Sequence, residues 1–352
     1  MNDKKTTYRE HTDMENTLKL RQVLATLPPF CRDYFRAIDT TTTAKTRISY
    51  AYDIRIFFQF LLDENPAFKD YSMTDFTVDV LDQIKAVDLE EYQEYLKLYQ
   101  SGDKTETNGE RGLKRKVSAL RSFYAYYYKR EMIQTNPTVL IDVPKIHEKS
   151  IIRLDTDEVA MLLDYIEHCG DTLTGQKRVF YEKTKERDLA IVTLLLGTGI
   201  RVSECVGLDI EDVDFKNNGI KVTRKGGNEM VVYFGPEVEK ALRRYLEVRE
   251  GITPLVGHEH ALFYSAQRKR IGVQAVENMV KKYSRQITTT KKITPHKLRS
   301  TYGTALYQET GDIYLVADVL GHKDVNTTKK HYAALDDARR RQAATAVKLR
   351  ED

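Results

Sequence analysis

The chain has 352 residues, 41% of them hydrophobic and 31% charged, with a formal net charge of +4. This is a globular composition, long enough for two domains and neither disordered nor fibrous. No stretch approaches the ~18 apolar residues of a membrane span, no apolar core follows the basic start as in a secretory signal, and three cysteines (Cys31, Cys169, Cys205) without CxxC spacing argue against a disulfide framework or a cysteine zinc site and fit a reducing cytoplasm.

In chain order, residues 1–13 read as a disordered lead. Met14 to Leu27 has helical spacing and ends at Pro28-Pro29. Thr43 to Leu62 is a strong helix, because Ile48, Tyr52, Ile56 and Phe60 recur every four residues until Asn65-Pro66 stops it. Val87 to Tyr99 is again helical. Residues 101–111 are a polar loop, and Gly112 to Met132 is a fourth helix with Val117, Leu120, Tyr124 and Tyr127 on its apolar stripe. The first part (14–135) therefore reads as an all-α bundle. Within it, the Tyr124–Tyr128 cluster is more safely core than a stacking surface. A linker is expected at 136–152, marked by Asn136-Pro137 and Pro144. Beyond it, Asp155 to Glu167 is a helix with Thr156 as its cap, residues 170–183 are a polar insertion, and Asp188 to Leu196 is a buried helix. Two β-type runs, Gly219–Arg224 and Met230–Phe234, flank Lys225-Gly226-Gly227-Asn228, a hairpin signal. From Pro236 onward helices dominate, with a short strand at Leu262–Tyr264. The second domain (153–335) is thus mainly α with a small antiparallel sheet, and 336–352 reads as a charged tail helix.

Charge is unevenly placed. Residues 1–100 hold 13 Lys+Arg against 17 Asp+Glu, whereas 263–300 hold 10 basic residues against Glu277 alone. Two basic segments, 101–150 and 263–300, suit a groove around a polyanion. Charged runs are, however, as often solvated faces.

Three segments carry chemistry. In Gly197-Thr198-Gly199-Ile200-Arg201-Val202-Ser203-Glu204 a buried helix ends in a glycine turn and an arginine follows, with Glu204 placed to orient it. In Thr294-Pro295-His296-Lys297-Leu298-Arg299 a helix starting after the proline puts His296 and Arg299 on one face. Such a pair suits a phosphate, since arginine offers a planar fork of donors and histidine moves a proton near neutral pH. In Leu320-Gly321-His322-Lys323-Asp324 a glycine ends a helix, and Thr327 or Thr328 opens another that carries Tyr332. Each segment alone is commonplace. His258-Glu259-His260 lacks a clear third ligand for a metal, and Lys225-Gly226-Gly227 lacks the frame of a phosphate P-loop.

Taken in order, GTGIRVSE, VTRKGGNE, TPHKLRS, LGHKD and TTKKHYAAL resemble the conserved boxes of the tyrosine recombinase (phage integrase) family. Within it the chain looks most like the bacterial Xer recombinases, of the single-protein XerS type. The resemblance covers the whole second domain strongly and the first loosely. It implies an N-terminal SAM-like helical core-binding domain and a C-terminal catalytic domain, closing as a clamp on DNA.

By the same resemblance, Tyr332 matches the nucleophile that forms a 3′-phosphotyrosyl link. Arg201 and Arg299 match the arginines on the non-bridging oxygens. His322 matches a further phosphate donor, His296 the proposed general base, Lys225 the general acid to the 5′-oxygen, and Glu204 the acidic residue behind the first arginine. The chemistry is coherent. A phosphodiester gains charge on attack, tyrosine needs help losing its proton, and a lysine among arginines is suited to give one. Neither metal nor cofactor is implied. One departure is Ser300, where the family commonly has histidine.

The implied partner is double-stranded DNA with paired short inverted-repeat sites, bound by a homotetramer assembled from monomers, with 336–352 docking on the next protomer. Lys114, Arg115 and Arg121 in the first domain, and Arg268, Lys269, Arg270, Lys281, Lys282, Lys291 and Lys292 in the second, are expected DNA contacts. The expected setting is the cytoplasm, at the nucleoid. Chromosome dimer resolution is the expected role, with mobile-element integration or excision, a nicking-closing enzyme, or a dead-site regulator as rivals. Dependence on a translocase or accessory protein is open at this stage.

Overall fold

A computed structural model describes residues 7–147, 151–224, 227–322, 324 and 325. The chain divides into two compact units, Met1–Lys149 and Ser150–Asp352.

The first unit contains α1 (Tyr8–Leu24), α2 (Cys31–Ala37), α3 (Ala44–Glu64), α4 (Val80–Gln83), α5 (Ala86–Tyr95), the strands β1 (Leu98–Ser101) and β2 (Lys104–Thr107), and α6 (Glu110–Tyr128). Its core is aromatic. Tyr34, Phe57, Phe58, Tyr92, Phe123, Tyr124 and Tyr127 are fully buried. Phe123 meets Tyr34 edge to face at 5.2 Å and Tyr127 at 5.1 Å, the arrangement ring quadrupoles favour. The buried phenols find partners, Tyr34 donating to Ser122 at 2.9 Å and Tyr127 to the Phe30 carbonyl at 2.8 Å. Of the tyrosine cluster, Tyr124 and Tyr127 are core, Tyr126 lies under the Arg130 guanidinium at 4.1 Å, and Tyr128 is exposed.

Three expectations for this unit are corrected. Helix α1 begins at Tyr8 and not after residue 13, because Thr7 and Glu10 close a reciprocal capping box: the Thr7 hydroxyl accepts from the Glu10 amide and the Glu10 carboxylate from the Thr7 amide. The unit is not all-α. Residues expected as helix end and loop pair as an antiparallel hairpin, Ser101 opposite Lys104 around Gly102-Asp103. Both strands are almost wholly exposed, so no apolar alternation announces them. Finally, the start of the expected linker belongs to this unit. A 3-10 turn at Pro137–Val139 packs on α5 and α6, and Ile141 is buried in the same core.

The polar centre of the unit is Asp53 on α3. It is 2% exposed and pairs with Arg115 and, at 3.4 Å, with Lys116, itself 6% exposed. Burial outweighs both cations and holds the Asp53 carboxyl above its usual range.

The second unit contains α7 (Thr156–His168), α8 (Gly175–Thr198), α9 (Val202–Gly207), β3 (Val213–Asp214), β4 (Gly219–Thr223), β5 (Glu229–Tyr233), α10 (Pro236–Glu250), α11 (Val273–Ile287), α12 (Pro295–Thr310) and α13 (Ile313–Leu320). The strands form one antiparallel sheet in the order β3-β4-β5, with Ile220 opposite Val232. Residues 262–264 contribute only an isolated bridge, Tyr264 to Arg270. Asp155 rather than Thr156 caps α7, sharing a capping box with Glu158. The polar insertion and the buried helix expected at 170–196 are largely one helix, α8. Its first half is exposed and its second half, from Asp188, runs through the core against α10 and α12. A helix that passes from surface to core has no constant apolar stripe, and its sequence therefore splits into two patterns.

Candidate active site

Two glycine stops place the site. Helix α8 ends at Gly199, whose φ of 62° is left-handed. A Cβ there would come within 2.4 Å of Tyr302 and 2.9 Å of Leu320. Gly199 thus lets the end of α8 touch both α12 and α13. Gly199→Ala is expected to cost about 1–2 kcal/mol from the left-handed backbone alone, with further loss from the displaced rings. A lower melting temperature with slower DNA cleavage checks it, and an unchanged melting temperature refutes it. Helix α13 ends at Gly321, φ 61°, where the Gly321 amide bonds to Asp318 and the His322 amide to Ala317 at 2.9 Å. Val316 and Leu320 of α13 pack on Tyr307 of α12, which fixes the position of that final turn.

Arg201 follows the first stop as the N-cap of α9. Its backbone amide donates to Glu204 Oε2 at 2.8 Å and its Nη1 to Glu204 Oε1 at 2.7 Å. Glu204 is buried, so one carboxylate fixes both the main chain and the guanidinium of Arg201. Its Nη2 reaches the Gly321 carbonyl at 3.4 Å. Arg299, 5% exposed on α12, donates from Nη1 to the Gly199 carbonyl at 2.6 Å and from Nη2 to the Leu320 carbonyl. The two arginines are 98 positions apart in the chain, yet they meet on successive carbonyls of one helix end, where the macrodipole favours cations. His322 follows directly and is partly exposed; His296 is exposed in the first turn of α12, and its carbonyl accepts from the Ser300 hydroxyl at 3.1 Å.

The sequence pattern missed a third arginine here. Arg224, the last described residue before the turn, sends its Nη2 to the Val319 carbonyl at 2.7 Å. Three guanidiniums thus hold the carbonyls of Val319, Leu320 and Gly321 in turn. The only signal in the sequence was its place next to Lys225. Lys225 and Tyr332 lie outside the described residues, as does the tail 336–352. The turn bearing Lys225 is closed by the Arg224 amide on the Asn228 carbonyl at 2.8 Å.

The expected DNA contacts separate into two groups. Lys114, Arg268, Lys269, Lys281, Lys282 and Lys292 are exposed, and Lys282 lies 4.4 Å over the Tyr283 ring. The others are engaged inside their own unit. Arg115 pairs with Asp53; Arg121 donates to the carbonyls of Thr138 at 3.0 Å and Ile141 at 2.7 Å; Arg270 holds the Leu208 carbonyl at 2.7 Å and pairs with Asp209; Lys291 bridges Asp155 and Glu158 at 2.8 and 2.5 Å. His260 pairs with Glu211. Among the described residues no group of three His, Cys, Asp or Glu is arranged to hold a metal, and no helix is long and apolar enough to cross a membrane.

The model of the phage integrase family matches residues 152–339, more than half of the chain. Tyrosine recombinase XerC of Caldanaerobacter subterraneus subsp. tengcongensis is 32% identical over 92% of this chain and 88% of its own length. Tyrosine recombinase XerS of Lactococcus lactis subsp. cremoris is 32% identical over 90% and 93%. In fold, the chain is similar to the XerH site-specific recombinase bound to its difH substrate (TM-score 0.62, 21% identity, 87% of this chain and 80% of that one). It is also similar to the Tn1549 transposon integrase in complex with a circular intermediate DNA (TM-score 0.64, 21% identity, 90% and 98%). With the arginines of two distant segments gathered on one helix end, and with relatives that align along nearly the whole chain, the protein belongs to the phage integrase family and is a site-specific tyrosine recombinase.

Proposed function

We propose that Tyr332 attacks a DNA phosphorus and forms a 3′-phosphotyrosyl bond as the bond to the 5′-oxygen breaks, and that Lys225 protonates that leaving oxygen to give the 5′-hydroxyl. Arg201, Arg299 and His322 hold the non-bridging oxygens as charge grows on them, and His296 takes the tyrosine proton. Rejoining reverses these steps with the 5′-hydroxyl of the partner strand, through a Holliday junction. The phosphotyrosyl bond keeps the energy of the broken phosphodiester, so ligation needs no ATP. The observation that carries the reading is the convergence of Arg201 and Arg299 on the Leu320–Gly321 carbonyls beside His322. A fork of charged donors, held before substrate arrives, is what a developing oxyanion requires.

In this reading the chain acts as a homotetramer on paired inverted-repeat DNA sites, at the nucleoid, and resolves chromosome dimers. Similarity to Xer recombinases over most of the chain supports site-specific recombination, and the choice of DNA substrate separates the chromosomal role from mobile-element integration. The test is covalent trapping on nicked duplexes carrying sites from the host's replication terminus or from the flanks of the gene. Wild type is expected to give a DNA-linked band on a denaturing gel with the terminus site, and Tyr332→Phe none. A band that survives in Tyr332→Phe overturns the nucleophile. A band only with the flanking sites overturns the chromosomal role.

A further inference from the structure

Arg224 lies in the VTRKGGNE segment but is given no role by it, yet its side chain is built into the arginine cluster. The Nη1 end of its guanidinium is set against Gly321: a Cβ at that glycine would fall 1.1 Å from Nη1, 2.2 Å from Cζ and 2.8 Å from Nε. Only glycine leaves the room. Nη2 is satisfied by the Val319 carbonyl at 2.7 Å, but Nε and Nη1 are buried and have no hydrogen-bond partner among the described residues. Burial loosens the guanidinium's hold on its proton; Glu204 opposes this, Arg201 adds to it, and Asp318 opposes it. A half-buried cation beside another cation, with two donor nitrogens shielded and unmet, is costly in the DNA-free protein. What would complete it is an anion with several acceptor oxygens on the same helix end.

We propose that Arg224 is a third guanidinium of the phosphate pocket, with one of its unmet nitrogens, Nε or Nη1, donating to a non-bridging oxygen of the phosphodiester held by Arg201 and Arg299. The inference rests on the assignment of that pocket. It makes Arg224 a substrate contact, and it ties the hairpin that carries Lys225 to the phosphate through the neighbouring residue.

The rival is a strut, in which Arg224 serves only to fix the Gly321 turn. Single-turnover cleavage of two substrates separates them, one with an ordinary scissile phosphodiester and one with a neutral methylphosphonate. Arg224→Ala, Arg224→Gln and Arg201→Ala are compared with wild type, each with its melting temperature. Arg224→Ala is expected to slow diester cleavage about 100-fold. On the methylphosphonate, where one charged oxygen is gone, that deficit should shrink at least about tenfold, as it should for Arg201→Ala. If Arg224→Ala fails to fold, Arg224→Gln carries the same comparison, since its amide still reaches a carbonyl but brings no charge. An equal loss on both substrates, or cleavage of the diester at the wild-type rate, overturns the proposal and leaves the strut. If Arg201→Ala also cleaves the diester normally, the pocket assignment itself falls, and the role of Arg224 falls with it.

Discussion

Arg299→Ala is expected to slow formation of the covalent DNA complex about 1,000-fold, the upper range for removing one preorganised donor from an oxyanion site. The expectation is large because Arg299 joins three pieces of the site. Its guanidinium is buried and bonds the Gly199 carbonyl at the end of α8 and the Leu320 carbonyl at the end of α13. Truncation removes charge from the phosphate pocket and leaves two carbonyls that the fold has shielded from water. Arg299→Lys separates these effects. Lysine keeps the charge but cannot span two carbonyls with one planar fork, so its rate should fall nearly as far as alanine's while DNA affinity holds. Rapid-quench cleavage of a nicked substrate and a filter-binding isotherm measure the two quantities. A lysine variant that cleaves within about threefold of wild type would show that charge suffices and geometry does not matter.

Asp53→Ala is expected to cost the first unit about 3–5 kcal/mol, the usual loss when one member of a buried ion pair is removed. The pair adds little net stability of its own, since burial outweighs both cations in setting the Asp53 proton affinity. The damage comes from what is left behind: Lys116, 6% exposed, whose ammonium loses its acceptor at 3.4 Å. Domain stabilities are typically about 5–15 kcal/mol, so the unit would stand near its unfolding threshold. Urea unfolding followed by far-UV circular dichroism should show an early transition in Asp53→Ala that is absent in wild type. Asp53→Leu combined with Lys116→Met should recover most of the loss, because two apolar groups leave no buried charge unpaired and the half-exposed Arg115 can turn to water. Superimposable urea curves for wild type and Asp53→Ala would contradict this account.

The second unit was legible in its chemistry and partly opaque in its shape. Arg201, Arg299 and His322 each sit in a short box with a glycine or proline beside it, and those residues carry direct backbone meaning: Gly199 and Gly321 are left-handed stops and Pro295 opens α12. Arg224 was not legible, because it is brought to the cluster by a contact with Val319, 95 residues away, and no local pattern records that. Similarly, the strands β1 and β2 form on backbone bonds with little burial, whereas sequence patterns register burial. The basic residues show the same limit. Lys114 and Arg121 look alike in sequence, yet one is exposed and the other holds two carbonyls of its own unit.

The last turn of α13 also sets when the arginine cluster can form. Arg201, Arg224 and Arg299 are all synthesised before Val319, Leu320 and Gly321, the three carbonyls that gather them. A nascent chain still holding that turn inside the ribosome carries three scattered cations and no pocket. The arginine cluster is therefore completed only once the last turn of α13 has emerged.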